Sequence, residues 1–358
     1  MANSLWPATP LEEIAGLPPA MTLRVEAGHS RKLLAIVKNT TMKRITLLLA
    51  LFLAGMTTFA QDMKTYQYAE RDTLQLYLDF YTPAQVHDST ICVVYVFGGG
   101  FVGGHRDGKF EKVYFKQLVD EGFQVAAIDY RLGLKGVTNL GVTHYQPLEI
   151  AIDMATEDAI SAIAYLLEHA QELKINKDWI MMVGSSAGAI TSLHTDHAMC
   201  NGRLNSNILP EDFRLAGVVA YAGAIFSSKG KVQYNNRAPA PTMFFHGTAD
   251  GLVPYNKIEF FNVGFYGTNS LVKRFEKFGY PYFARRFEDY GHLIAIAGPA
   301  TIDELLWFCR HYVYGKEQLQ LDGTYRQLDQ SKMPQNDVYT LKQALEILEA
   351  RNSSNLID

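Results

Sequence analysis

Asp178-Trp179-Ile180-Met181-Met182-Val183-Gly184-Ser185-Ser186-Ala187-Gly188-Ala189-Ile190-Thr191-Ser192-Leu193 is the stretch on which the fold turns. Its first part, Asp178 to Val183, is a short apolar run of strand type, and Ala189 to Leu193 opens a helix. Between them Ser186 has a glycine two residues away on each side, the Gly-x-Ser-x-Gly pattern of a nucleophile elbow. Such a turn strains the serine backbone, and only glycine lets the strand and helix approach closely enough to make it. The hydroxyl is then raised above the sheet, where a histidine can reach it.

Outward from the elbow, strand and helix patterns alternate. Leu74, Leu76, Leu78 and Phe80 alternate with polar residues and predict a half-buried strand ended by Pro83. Ile91 to Phe97 is a continuous apolar run, the kind of strand buried on both faces. Glu111 to Glu121 has helical period through Val113, Phe115, Leu118 and Val119, with Gly122 closing it. A strand is expected over Phe123–Asp129, a long loop over 133–148 and a helix over Glu149–Ala170. Beyond the elbow helix come strand Leu215–Tyr221, a loop to Ala240, strand Pro241–His246, helix Ser270–Phe278, strand Tyr282–Glu288 and helix Thr301–Tyr314. This order predicts an α/β fold, a mostly parallel central sheet with helices on both faces. Active residues of such sheets gather at the carboxyl ends of the strands.

The N-terminal region carries a second kind of signal. Met42-Lys43-Arg44, the apolar run from Ile45 to Ala54, and Gly55 to Ala60 have the charged start, short greasy core and small-residue end of a secretory signal peptide. The apolar core, about ten residues, is too short to span a bilayer, which takes about 20. Cleavage is expected after Ala60, translation is expected to begin at Met42, and residues 1–41 are read as a mis-assigned extension. The expected division is a catalytic domain at 61–315 and a tail at 316–358, with a short amphipathic helix at Val338, Leu341, Leu345 and Leu348. The chain holds 33 basic and 37 acidic residues, a net charge of −4 that argues against a nucleic-acid partner. Its three cysteines, Cys92, Cys200 and Cys309, are an odd number, so at least one has no partner within the chain; a Cys200–Cys309 bridge stays open.

A serine hydroxyl needs a neutral imidazole to take its proton and an acid to hold that imidazole in the right tautomer. Asp250 lies in His246-Gly247-Thr248-Ala249-Asp250-Gly251-Leu252-Val253-Pro254, and His292 in Asp289-Tyr290-Gly291-His292, each just past an apolar strand. Ser186, Asp250 and His292 thus follow the order nucleophile, acid, histidine. His246 reads as a structural group at a strand end. Asp289 is too close along the chain to orient His292 from behind. His194 and His197 share a helix face, but no third metal-ligand motif accompanies them. Phe97-Gly98-Gly99-Gly100-Phe101 ends a strand with bare backbone amides; Gly99, Gly100 and Ala187 are the expected donors of an oxyanion hole. No Lys-Ser or Lys-Thr follows that loop, as a phosphate site would require.

Taken with Asp129-Tyr130-Arg131-Leu132, these motifs resemble the carboxylesterase and hormone-sensitive-lipase-like branch of the α/β-hydrolases, which includes small secreted acetyl and feruloyl esterases. The resemblance runs from about Tyr68 to Tyr314. It departs at Phe97, where the family usually has a histidine supporting the glycine loop, and at Ser185, where many relatives carry aspartate. It implies a serine esterase working through an acyl-enzyme, with no cofactor and no metal. The loops 133–148 and 224–240, with Tyr145, Phe226 and Tyr234, are expected to roof the site, and Phe101, Ser185 and Tyr290 to line the substrate pocket. With no long apolar lid, a short-acyl or aromatic-acyl ester, on a small molecule or a glycan, is the expected substrate. Two other readings stand beside this one. A serine exopeptidase of prolyl-oligopeptidase type would need a large domain before the hydrolase. A non-catalytic binding protein on the same scaffold would usually lack a triad member.

Overall fold

The computed structural model describes residues 62–138 and 144–334, together with Val338, Gln343 and Glu346. All of them fall within the unit Ala60–Asp358. The leader, the signal segment, its cleavage point, part of the 133–148 loop and most of the tail lie outside the described residues.

Nine strands form the main sheet: β1 (Asp62–Arg71), β2 (Leu74–Thr82), β3 (Cys92–Val96), β4 (Gln124–Ile128), β5 (Ile180–Ser185), β6 (Gly217–Tyr221), β8 (Thr242–Gly247), β11 (Tyr282–Phe287) and β12 (Gln320–Tyr325), in the order β1-β2-β4-β3-β5-β6-β8-β11-β12. Pairing is antiparallel at β1/β2 and β2/β4 and parallel from β4 to β12. Every residue of β3, β4, β5, β6 and β8 is buried, as expected of parallel strands covered on both faces. Register aligns their carboxyl ends: Val96 sits opposite Gly184, Ser185 opposite Tyr221, and Gly247 opposite Phe287. The loops after β3, β5, β8 and β11 therefore leave from one edge.

The covering helices are α1 (Lys109–Asp120), α2 (Gln146–Glu168), α3 (Ala187–Asn201), α4 (Thr268–Phe278) and α5 (Ile302–Phe308), the last continuing as a π-helical turn over Cys309–Tyr314. In α1 the inward face is Tyr114, Phe115, Leu118 and Val119; Val113, expected there, is exposed. α3 is buried almost throughout and ends at Gly202, whose φ of +61° closes the helix.

Three expectations need correcting. The first strand is β1, not Leu74–Phe80; its polar, partly exposed side chains hide its period. The sheet does not end before residue 315, because β12 pairs parallel with β11 as the edge strand. Part of the expected 224–240 loop is β7 (Ala224–Ser227), which joins β10 (Val263–Gly267) and β9 (Lys257–Phe260) in a separate antiparallel sheet of order β7-β10-β9. Cys92, Cys200 and Cys309 are buried free thiols.

Candidate active site

Ser186 is the residue between β5 and α3, and it has φ +52° and ψ −117°. A non-glycine residue there is strained by about 1–3 kcal/mol, so the surroundings must hold it. Its amide donates to Tyr221 O at 2.9 Å, and its carbonyl accepts from the Ile190 amide at 2.9 Å. The flanking glycines are required by proximity. A Cβ on Gly184 would lie 2.2 Å from Gly188 O, and one on Gly188 would lie 2.0 Å from Val96 O.

The structure brings the three expected triad members together. Ser186 Oγ is 2.8 Å from His292 Nε2, and His292 Nδ1 is 2.7 Å from Asp250 Oδ2. His292 begins a 3-10 turn, His292–Ile296, beyond β11. Asp250 stands in the tight turn after β8, and its Oδ1 accepts from the amides of Leu252 (2.9 Å) and Val253 (3.0 Å). Burial opposes ionisation of this carboxyl. Hydrogen bonds from His246 and His292, and the charge they bring, outweigh burial and hold it well below the usual carboxylate range. Gly247 lets the two loops touch, since a Cβ there would lie 2.2 Å from Tyr290 O. Asp289 is exposed, with its amide bonded to Thr248 Oγ1 at 2.9 Å.

The glycine loop runs beside the nucleophile: a Cβ on Gly98 would lie 3.2 Å from Ser186 Cβ. Gly99 and Gly100 have φ of +128° and +66°. Among the described residues, neither of their amides donates to a protein acceptor. The Ala187 amide is the first of α3, where no intrahelical acceptor exists. Phe97 replaces the usual histidine with packing. Its ring stacks on Tyr130 at 4.4 Å, and the Tyr130 hydroxyl donates to Phe97 O at 3.0 Å. Tyr130 thereby clamps the loop, a role its place in Asp129-Tyr130-Arg131 did not announce.

The residues expected to line the pocket are engaged elsewhere. Ser185 is buried, and its hydroxyl donates to Ala295 O at 2.7 Å, tying β5 to the turn that bears His292. Phe101 is buried edge-on against Tyr130. Tyr290 is half-buried and packs on Phe287 and Tyr325. Tyr145 packs against Phe226, whereas Tyr234 packs on Phe275 and Tyr280 as wall rather than roof.

His194 and His197 do not converge on a metal position. His194 Nε2 accepts from the Phe226 amide at 3.0 Å, and His197 Nε2 donates to Gln233 O at 2.8 Å. Burial pushes His194 well below the usual imidazole range and His197 down to about 4, so both are neutral. They line a cavity of about 320 Å³ with Glu149, Asp153 and Arg203, and none of the triad borders it.

Residues 78–226 match the BD-FAE family. No curated protein matches the chain. Among solved structures, the propionate-bound form of Est2, a thermophilic esterase from the Planctomycetes species Thermogutta terrifontis, matches with TM-score 0.51 at 21% identity, covering 68% of this chain and 93% of that one. Its butyrate-bound form matches with TM-score 0.50 at 21% identity over 68% and 93%, and its native form with 0.51 at 19% over 71% and 94%. The shared architecture extends over nearly the whole of the esterase.

Proposed function

We propose that this chain, an α/β-hydrolase similar to the BD-FAE family over residues 78–226, is a secreted serine esterase for short-acyl or aromatic-acyl esters, including those carried by glycans. The observation that carries the reading is the unbroken relay Ser186–His292–Asp250, at 2.8 and 2.7 Å, beside backbone amides with no other acceptor among the described residues.

In this reading His292 Nε2 takes the Ser186 proton as Oγ attacks the ester carbonyl. The oxygen of the tetrahedral intermediate, now negative, lies against the amides of Gly99, Gly100 and Ala187, and one such donor is worth about a hundredfold or more in rate. Asp250 holds the His292 Nδ1–H and stabilises the imidazolium. His292 then returns the proton to the departing alkoxide. An acyl group remains on Ser186, and water activated by the same imidazole releases the acid.

Est2 has been seen with propionate and with butyrate bound, which supports a short acyl group by analogy. Among the described residues, no helix is long and apolar enough to cross a membrane. Export rests on the signal segment 42–60, and N-terminal sequencing of the exported protein should begin at Gln61. The test of substrate class is a panel: p-nitrophenyl acetate, butyrate and palmitate, acetylated and feruloylated xylo-oligosaccharides, and a prolyl p-nitroanilide. Release of acetate or ferulate with palmitate resisted is expected. Cleavage of the anilide alone would replace the reading with a peptidase, and no turnover of any ester would remove it.

A further inference from the structure

His246 ends β8 and is completely buried. Its Nε2 faces two acceptors, Asp250 Oδ2 at 3.2 Å and Val253 O at 3.1 Å. Neither a carbonyl nor an ionised carboxylate can donate, so the Nε2 atom carries the hydrogen. The other ring nitrogen, Nδ1, is 2.8 Å from Oγ1 of Thr268, the first residue of α4 and also fully buried. In the neutral ring Nδ1 accepts from that hydroxyl. Tyr255 packs edge-on against the ring at 5.6 Å, and its own hydroxyl is held by Arg286. The orientation of His246 is therefore held by Val253, Thr268 and Tyr255, all outside the triad.

The consequence falls on the acid. Asp250 has about four lone-pair sites. Two on Oδ1 are taken by the Leu252 and Val253 amides and one on Oδ2 by His292, while His246 Nε2, hydrogen-bonded to Val253 O, lies 3.2 Å from Oδ2. The two amides belong to the turn that contains Asp250 and move with it. Of these four groups His246 alone stands in a strand, so its contact ties the carboxylate to the rigid part of the molecule.

We propose that His246 is a positioning residue: its Nε2–H, bonded to Val253 O and 3.2 Å from Asp250 Oδ2, holds in place the oxygen on which His292 depends, with Thr268 holding the other edge of the ring. The inference rests on the triad proposed above. It extends that triad into the buried chain Thr268–His246–Asp250–His292–Ser186.

The test compares His246→Leu, His246→Gln and Thr268→Val with the unaltered protein on p-nitrophenyl acetate, kcat and KM being measured separately. Leucine keeps much of the volume and removes the donor. Glutamine places an N–H close to where Nε2 stood. Leucine should lower kcat about ten- to a hundredfold, the loss expected for one hydrogen bond to a charged group, with KM within about twofold. Glutamine should recover most of that loss, and Thr268→Val should lower kcat in the same direction by a smaller factor. Should His246→Leu fail to fold, the glutamine and valine variants carry the test through their kcat. Two results overturn the proposal: a folded His246→Leu with unchanged kcat, or a folded His246→Gln as slow as or slower than leucine. Ser186→Ala assayed alongside separates the two readings, because full turnover without Ser186 refutes the triad itself.

Discussion

Replacing Asp250 by asparagine forces a choice that the structure decides. The carboxylate accepts on both oxygens: Oδ1 from the amides of Leu252 and Val253 at 2.9 and 3.0 Å, and Oδ2 from His292 at 2.7 Å with His246 at 3.2 Å. Asparagine offers one accepting oxygen and one donating amide. If its NH2 faced Leu252 and Val253, donor would meet two backbone donors that cannot shed their hydrogens. If the NH2 faces the imidazoles instead, His292 can answer by moving its hydrogen to Nε2, while His246 keeps its Nε2–H on Val253 O. The second arrangement wins, and it places a hydrogen on His292 Nε2, which faces Ser186 Oγ at 2.8 Å. A protonated Nε2 cannot take the serine proton. The same exchange in the serine-protease triad lowers kcat by about 10⁴. At about 1.36 kcal/mol per tenfold this is about 5.4 kcal/mol of transition-state stabilisation. With p-nitrophenyl acetate, Asp250→Asn should lose about 10⁴ in kcat, keep KM within a few-fold, and retain the far-ultraviolet circular dichroism of the parent. A folded Asp250→Asn that loses less than about tenfold would refute the tautomer argument.

Other expectations follow from the same geometry. Gly188→Ala puts a Cβ 2.0 Å from Val96 O, so α3 must move off β3; a loss at or above the top of about 1–3 kcal/mol and of about a hundredfold in kcat should appear in thermal melts and assays. Gly279→Ala, with nothing within 4 Å but a φ of +69°, should cost about 1–2 kcal/mol of stability and leave kcat unchanged. Tyr130→Phe keeps the stack on Phe97 and removes the bond to Phe97 O; kcat should fall by up to about tenfold at constant KM, and a slackened oxyanion loop predicts no larger effect. Burial pushes Asp196 up to about 6, so the fold holds its proton more tightly than the unfolded chain does, and stability falls as pH rises from about 4 to 6. Asp196→Asn should therefore raise the melting temperature at pH 8 but not at pH 4; an equal gain at both would remove the linkage.

The site was legible because each of its parts sits where a strand stops. An apolar run ending in Gly-x-Ser-x-Gly, in three glycines, or in a loop with aspartate or histidine is a local pattern, and parallel pairing carries such patterns to one edge. What stayed hidden depends on contacts across the sheet. Ser185 reads as a pocket residue by its place beside the nucleophile, yet its hydroxyl is spent on Ala295, 110 positions along the chain. His246 reads as a strand-end group until Asp250, Val253 and Thr268 are seen around it. Tyr130 supplies the support expected of a histidine before the glycines, by stacking rather than by a ring nitrogen. The missed strands have a different cause. Residues of β9 and β12 are largely exposed, so no buried face imposes a period on Lys257–Phe260 or Gln320–Tyr325. At those edges, backbone pairing sets the strand without a hydrophobic alternation to announce it.

The central claim is that Ser186 is the nucleophile of an acyl transfer. Its most direct test is steady-state turnover of p-nitrophenyl acetate by the parent protein and by Ser186→Ala, matched in folded concentration. A fall in kcat of about a millionfold is predicted, with acetyl trapped on Ser186 when the parent reaction is quenched in acid. Equal turnover by the two proteins, or an acetyl group recovered on another residue and none on Ser186, would contradict it.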